Sequence, residues 1–187
     1  MFRNNKDNKN NESNKTDSKN RPATEEELNS FRTWLKSFFR SLVMSFLIFL
    51  IFMNFVQISK INGHSMDKTL HTGEIALVNK HLYSDFKYGD IVVAKADYGD
   101  GQEQVIKRVI GKPGDALACI NGVMYRNGKK LHEPYIKEKM KRESWAVIVP
   151  KKKLFLMGDN RNVSADSRAI GPIKYKNIVG KVFLYFG

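Results

Sequence analysis

The run from Ser41 to Val56 carries no charged side chain and is apolar on every side. It constrains the chain more than any other feature. As a helix it rises about 24 Å, at about 1.5 Å per residue, against a hydrocarbon core of about 30 Å. Phe38 and Phe39, with Arg40 extending its stem toward the headgroups, supply the difference. A helix apolar all round is not suited to the rim of a soluble core. A cleaved secretory leader is excluded by length, since about forty residues precede the run and no Ala-x-Ala-like site follows it. The reading is an uncleaved membrane anchor. Upstream, Thr24-Glu25-Glu26-Glu27 has the form of a capping box, with Thr24 as N-cap and Glu27 at the third helical position. The helix therefore starts there and carries Leu28, Phe31, Trp34, Leu35 and Phe38 at helical spacing, Trp34 suiting a membrane interface.

Charge sets the orientation. Arg32, Lys36 and Arg40 lie just before the span and Lys60 alone lies close after it. The positive-inside rule puts the N-terminus in the cytoplasm and the remainder outside, in the cell membrane as a single pass. Residues 1–22 are rich in Asn, Lys, Asp and Ser and have too little apolar surface to fold. The expected layout is a disordered polar tail over 1–22, a juxtamembrane and transmembrane helix over 23–57, and an extracytoplasmic domain over 58–187. The net charge is +13, spread along the chain with Lys151-Lys152-Lys153 as a short run. No nucleic-acid-binding motif accompanies it, so attraction to an anionic bilayer or plain solubility is the expectation. The single cysteine, Cys119, excludes an intramolecular disulfide framework, and no Cys/His spacing resembles a zinc site. No metal and no cofactor are expected.

From Gln57 onward short apolar runs are broken by Gly, Asn and Asp. They predict strands at Gln57–Asn62, Ile75–Asn79, Asp90–Ala94, Gln104–Ile110, Ala116–Ile120, Val123–Arg126, Leu154–Met157 and Val179–Phe186. Asn121-Gly122 and Asn127-Gly128 are hairpin turn signals. The fold class is mainly β: an antiparallel β domain with a small inserted β subregion over 116–150, preceded by one N-terminal transmembrane helix.

Three segments stand out chemically. Ser65 sits in Gly63-His64-Ser65-Met66-Asp67-Lys68-Thr69-Leu70, a turn after the anchor. Lys107 sits in Val105-Ile106-Lys107-Arg108-Val109-Ile110. The third is Gly158-Asp159-Asn160-Arg161-Asn162-Val163-Ser164-Ala165-Asp166-Ser167-Arg168. A serine hydroxyl is a poor nucleophile without a base beside it. The four histidines, His64, His71, His81 and His132, have no triad-like context. Lysine can serve instead if burial lowers its pKa from about 10.4 by several units. In a strand Lys107 points away from Ile106 and Arg108, so one face can bury the amine while Arg108 looks elsewhere. A solvated lysine is the commoner case; the companion segments decide against it here.

In order and content these segments resemble the signature segments of bacterial type I signal peptidases, over about residue 60 to the C-terminus. The resemblance implies a mainly β serine endopeptidase with Ser65 as nucleophile and Lys107 as general base. It implies Ser164 as the hydroxyl that orients the amine, and Asp166 with Arg168 and Asp159 with Arg108 as supporting ion pairs. Ile61, Met66, Leu70 and Ile106 align with pocket-lining positions. The implied partners are secretory preproteins, cut after small residues at −3 and −1, together with the lipid bilayer and the export machinery. The Ser65 backbone N–H would hold the oxyanion. Two positions depart from the pattern. Gly63 stands where some members have a serine that supplies a second oxyanion donor, and Lys68 stands where proline is usual. Losing proline frees φ and adds an N–H, which predicts a looser turn behind Ser65 and lower efficiency or altered substrate choice, not loss of the dyad. Gly158 is expected to allow close backbone approach. The triplet Asn162-Val163-Ser164 also fits an N-glycosylation acceptor, but Ser164 is better accounted for in the site.

Two other readings compete. A self-cleaving repressor shares the Ser–Lys logic but needs a DNA-binding helical domain, and no helix-turn-helix pattern precedes Ser65. A catalytically weak or inactive membrane-anchored relative that binds preproteins is favoured by Lys68 and opposed by the presence of both Ser65 and Lys107.

Overall fold

The computed structural model describes residues 22, 24–80, 85–99 and 101–187. All of the expected polar tail except Pro22 lies outside the described residues. The chain divides into two compact units, one ending at Leu50 and the other beginning at Ile51.

Helix α1 spans Glu25–Phe55. The capping box forms reciprocally: the Glu27 N–H donates to Thr24 Oγ1 at 3.3 Å and the Thr24 N–H to Glu27 Oε2 at 2.9 Å. Phe31, Trp34 and Phe38 stack along one face, with ring centroids 6.0 and 5.6 Å apart. No residue of α1 is buried in the protein, and the helix is long and apolar enough to cross a membrane.

The second unit is built on antiparallel sheets. Its strands are β1 (Val56–Lys60), β2 (Ile75–Asn79), β3 (Ile91–Asp97), β4 (Gln102–Gly111), β5 (Ala116–Ile120), β6 (Val123–Arg126), β7 (Lys129–Lys130), β8 (Trp145–Ile148), β9 (Lys153–Met157), β10 (Ile173–Lys174) and β11 (Ile178–Phe186). A four-residue helix, α2, spans Ser167–Ile170. One sheet has the order β1-β2-β11-β3-β4-β9-β10; the other, β7-β6-β5-β8, is inserted between β4 and β9. Both Asn-Gly pairs make hairpins with both residues at positive φ, 50° and 80° at Asn121-Gly122 and 52° and 76° at Asn127-Gly128. Strands β7, β8 and β10 carry no strong sequence signal, being short and rich in lysine or bounded by polar loops.

Alternation in β3 sends Val92 and Ala94 into one apolar cluster and Val93 into another, so the larger sheet is packed on both faces. The second cluster holds Ile61, Met66, Leu70, Ala76, Val78 and Val182, directly beneath the turn that carries Ser65. A third, with Ile110, Leu117, Met124, Phe155 and Met157, joins the two sheets.

Between β7 and β8 the chain runs back over the larger sheet. Its anchor is an ion pair from Glu133 to Arg161, 2.5 and 3.1 Å, with the side chains 8% and 1% exposed. Truncating Glu133 leaves a permanently charged guanidinium buried without its partner. Glu133→Ala is expected to cost about 3–5 kcal/mol of stability, read as a shift of the denaturant midpoint followed by intrinsic fluorescence. A loss below about 1 kcal/mol, the value of an exposed pair, would show that this contact does not hold the segment.

Candidate active site

The turn after β1 is wound by short backbone bonds. The Asp67 N–H donates to His64 O at 3.3 Å, Thr69 N–H to Met66 O at 3.0 Å and Leu70 N–H to Met66 O at 2.9 Å. Gly63, at φ 91°, opens it. Met66 and Leu70 drive inward as apolar pegs, 2% and 0% exposed, which leaves Ser65 at the rim. Strand β4 supplies Lys107, paired in register with Val92 of β3. Lys107 Nζ lies 2.8 Å from Ser65 Oγ, and Lys107 is 4% exposed. Burial pulls its pKa from 10.5 down to about 8, while the Asp166 carboxylate pulls it upward. Among the described residues the Ser65 backbone N–H donates to no protein group.

Arg108 is the next residue on β4 and is held apart from Lys107. Its Nε donates to Asp159 Oδ1 at 2.8 Å and its Nη2 to Asp159 Oδ2 at 2.5 Å. Thr69 Oγ1 donates to the same carboxylate at 2.6 Å, and the Tyr135 ring lies 4.3 Å from the guanidinium. Asp166 is fully buried, receives Arg168 Nε at 2.9 Å, caps α2 and accepts the Gly158 N–H at 3.0 Å. Gly158 is closed in by the Ser65 carbonyl and the Ser164 hydroxyl, both within the distance at which a Cβ would clash. Ser164 Oγ is buried and has no hydrogen-bond partner, so the bond to Lys107 that the resemblance implies is not made.

A cleft of about 410 Å³ opens beside Ser65 and Lys107, lined among others by Ile61, Met66 and Ile106. Leu70, placed with these on the resemblance, does not line it; the side chain is fully buried in the cluster below. Two contributions carried no sequence signal. Asn160 holds the serine turn from behind, its N–H donating to Ser65 O at 3.0 Å and its Nδ2 to His64 O at 2.9 Å. Lys137 reaches Asp67 at 3.0 Å and its N–H donates to Asp159 O at 3.0 Å, binding the inserted segment to the turn.

At Lys68, where the replacement of proline predicts a looser turn, the side chain makes a tie of its own. The residue's φ is 89°, a conformation closed to proline, and its Nζ donates to the carbonyls of Pro134 at 2.5 Å and Ile136 at 3.0 Å. The amine ties the turn to the inserted segment. Lys68→Gly should keep the turn and lose only this tie, whereas Lys68→Pro should lose both. The proline variant is therefore expected to melt below the glycine variant and both below the parent, by differential scanning fluorimetry. A proline variant as stable as the parent would refute the reading of φ at this position.

Residues 31–186 match the family described as signal peptidase, peptidase S26. Signal peptidase I of Streptococcus pneumoniae serotype 4 is 33% identical over 194 residues, covering 82% of this chain and 93% of the relative. Signal peptidase I of Bacillus licheniformis is 36% identical over 173 residues, covering 84% and 90%. Signal peptidase IB of Staphylococcus aureus strain Mu50 is 37% identical over 167 residues, covering 78% and 86%. A solved signal peptidase I from Enterococcus faecalis aligns with 54% of this chain and 98% of its own, with 25% identity and a TM-score of 0.48. The family match and the relatives define the class, a serine endopeptidase. More particularly, the chain belongs to the signal peptidase, peptidase S26 family.

Burying an amine has a stability cost with a definite pH dependence. Between about 8 and 10.5 the unfolded chain holds more protons at Lys107 than the folded chain, so the parent gains stability as pH rises through that window and carries the full cost below it. Lys107→Met is expected to be more stable than the parent at pH 7, with the advantage shrinking by pH 10. Denaturant titrations at the two pH values check this, and an advantage independent of pH would contradict it.

Proposed function

We propose that this chain removes N-terminal signal peptides from exported preproteins by a Ser65–Lys107 mechanism. The observation that carries the reading is the 2.8 Å contact between Ser65 Oγ and the buried Lys107 amine. With Lys107 neutral, its lone pair takes the Ser65 proton as Oγ attacks the scissile carbonyl. The oxyanion forms against the Ser65 backbone N–H. The tetrahedral species collapses, the C–N bond breaks, and Lys107 returns the proton to the departing amine. A water then attacks the acyl ester, giving its proton to Lys107 and so to Ser65. During that second half Ser65 no longer offers its hydroxyl to the amine. Ser164 Oγ, buried and unpartnered beside Gly158, is available to orient Lys107 then.

Substrate recognition follows from the cleft. An extended segment laid along it places alternate side chains toward Ile61, Met66 and Ile106, which suits small residues at −3 and −1. The helix α1 would hold the enzyme at the bilayer, N-terminus in the cytoplasm on the evidence of Arg32, Lys36 and Arg40, and so raise the effective concentration of membrane-bound preproteins. The non-catalytic reading draws on Lys68, whose amine is engaged by the Pro134 and Ile136 carbonyls.

The test is cleavage of a preprotein with an Ala-x-Ala site, in detergent micelles, by the parent and by Ser65→Ala and Lys107→Ala. The parent should cut after the −1 alanine, each variant should lose at least about 10³-fold in kcat, and the parent's kcat/KM should rise with pH through a limb near 8. A folded parent that does not cut, or a Lys107→Ala variant that does, overturns the proposal.

A further inference from the structure

Asn160 is 2% exposed and sits behind the nucleophile rather than in the cleft. It makes two contacts with consecutive peptide groups. Its own N–H donates to Ser65 O at 3.0 Å, and its side-chain Nδ2 donates to His64 O at 2.9 Å. The His64 carbonyl and the Ser65 N–H are the two ends of one peptide unit. A donor at one end draws electron density through the amide and makes the N–H at the other end a stronger donor, as in any chain of hydrogen bonds. It also fixes the plane of that peptide, and with it the direction in which the Ser65 N–H points. The other half of the Asn160 amide accepts no hydrogen bond: Oδ1 is buried and unpartnered among the described residues. A buried orphan oxygen is a cost that packing alone gives no reason to keep. Leucine has nearly the same shape and would carry no such cost.

We propose that Asn160 is a positioning residue for the oxyanion donor: it orients and polarises the His64–Ser65 peptide so that the Ser65 N–H meets the developing negative charge. This rests on the proposed Ser65 mechanism. It also fits the departure at Gly63, where a serine side chain is lacking as a second donor. With fewer donors, the alignment of the backbone N–H carries more of the stabilisation.

The experiment uses the full chain in detergent micelles with the Ala-x-Ala preprotein, comparing the parent with Asn160→Ala and Asn160→Leu. Removing an oxyanion donor outright costs about 10²–10³-fold in kcat, and Asn160 acts one bond removed. Both variants are expected to lose about 10- to 100-fold in kcat, with KM within about twofold and the acidic limb of the pH profile unmoved. Asn160→Leu deletes the orphan oxygen together with the Nδ2 bond to His64 O, two changes of opposite sign, so its melting temperature should stay close to that of the parent. His64-Ser65 is the one His-Ser step in the chain. Labelling with carbonyl-¹³C histidine and ¹⁵N serine therefore isolates that peptide in a single carbonyl–amide correlation, which should shift in both variants. A folded Asn160→Leu with kcat within twofold of the parent overturns the proposal, as does a loss confined to KM or a shifted acidic limb, which would mean action through Lys107. If Asn160→Ala does not fold, Asn160→Leu decides alone. A parent that fails to cut overturns the underlying mechanism and this inference with it, whereas an active parent beside fully active variants overturns only the inference.

Discussion

The site depends on keeping one amine dry beside two permanent ion pairs. Lys107 is followed in sequence by Arg108, whose guanidinium never loses its charge, and lies within the field of Asp166. Each of these charges is neutralised by its own partner. Arg108 is engaged through Nε and Nη2 by Asp159, and Asp166 is engaged by Arg168. The fields that reach Lys107 are those of paired charges, so burial becomes the largest influence on its proton affinity. Strand alternation makes this arrangement possible, because it lets consecutive residues 107 and 108 serve opposite requirements.

Everything that fixes this amine also fixes the serine. Asp159 takes Arg108 from β4, Thr69 from the serine turn and the Lys137 N–H from the inserted segment. The next residue, Asn160, grips the serine turn, and the one after it, Arg161, is sealed by Glu133 of the insertion. Three consecutive residues therefore join three parts of the chain that lie far apart in sequence. The smaller sheet thus does more than decorate the larger one. The segment between its β7 and β8 closes over the ionic centre and supplies the carbonyls that Lys68 binds.

Much of this was legible in the residues, for local reasons. Capping chemistry at Thr24 and Glu27 needs only four residues, and each Asn-Gly hairpin only two, so each could be read without knowing what packs against it. The apolar alternation of β2 and β5 reports burial directly. Long-range polar partnerships have no such pattern. Glu133 and Arg161, or Asn160 and the His64 carbonyl, are distant in sequence, and glutamate, arginine and asparagine are ordinary surface residues until the fold buries them. Leu70 is placed in the cleft only by the resemblance, and an apolar side chain at that position does not itself tell whether it faces a groove or the core beneath it. At Ser164 the expected bond to the amine is absent: the hydroxyl is buried without a partner, and the amine meets Ser65 instead.

Lys68 illustrates how a turn can be tied from outside its own residues. Proline stiffens a turn through its ring, by restricting φ to about −65°. A lysine at φ 89° cannot reproduce that backbone, so the turn here is a different solution. Its stiffness comes from outside: an ammonium with three donors meets two carbonyls of a segment that is itself held by Glu133, Tyr135 and Lys137. The substitution exchanges a local covalent restraint for a tertiary one. The tie at Lys68 then depends on the inserted segment being folded, which couples that segment to the turn carrying Ser65.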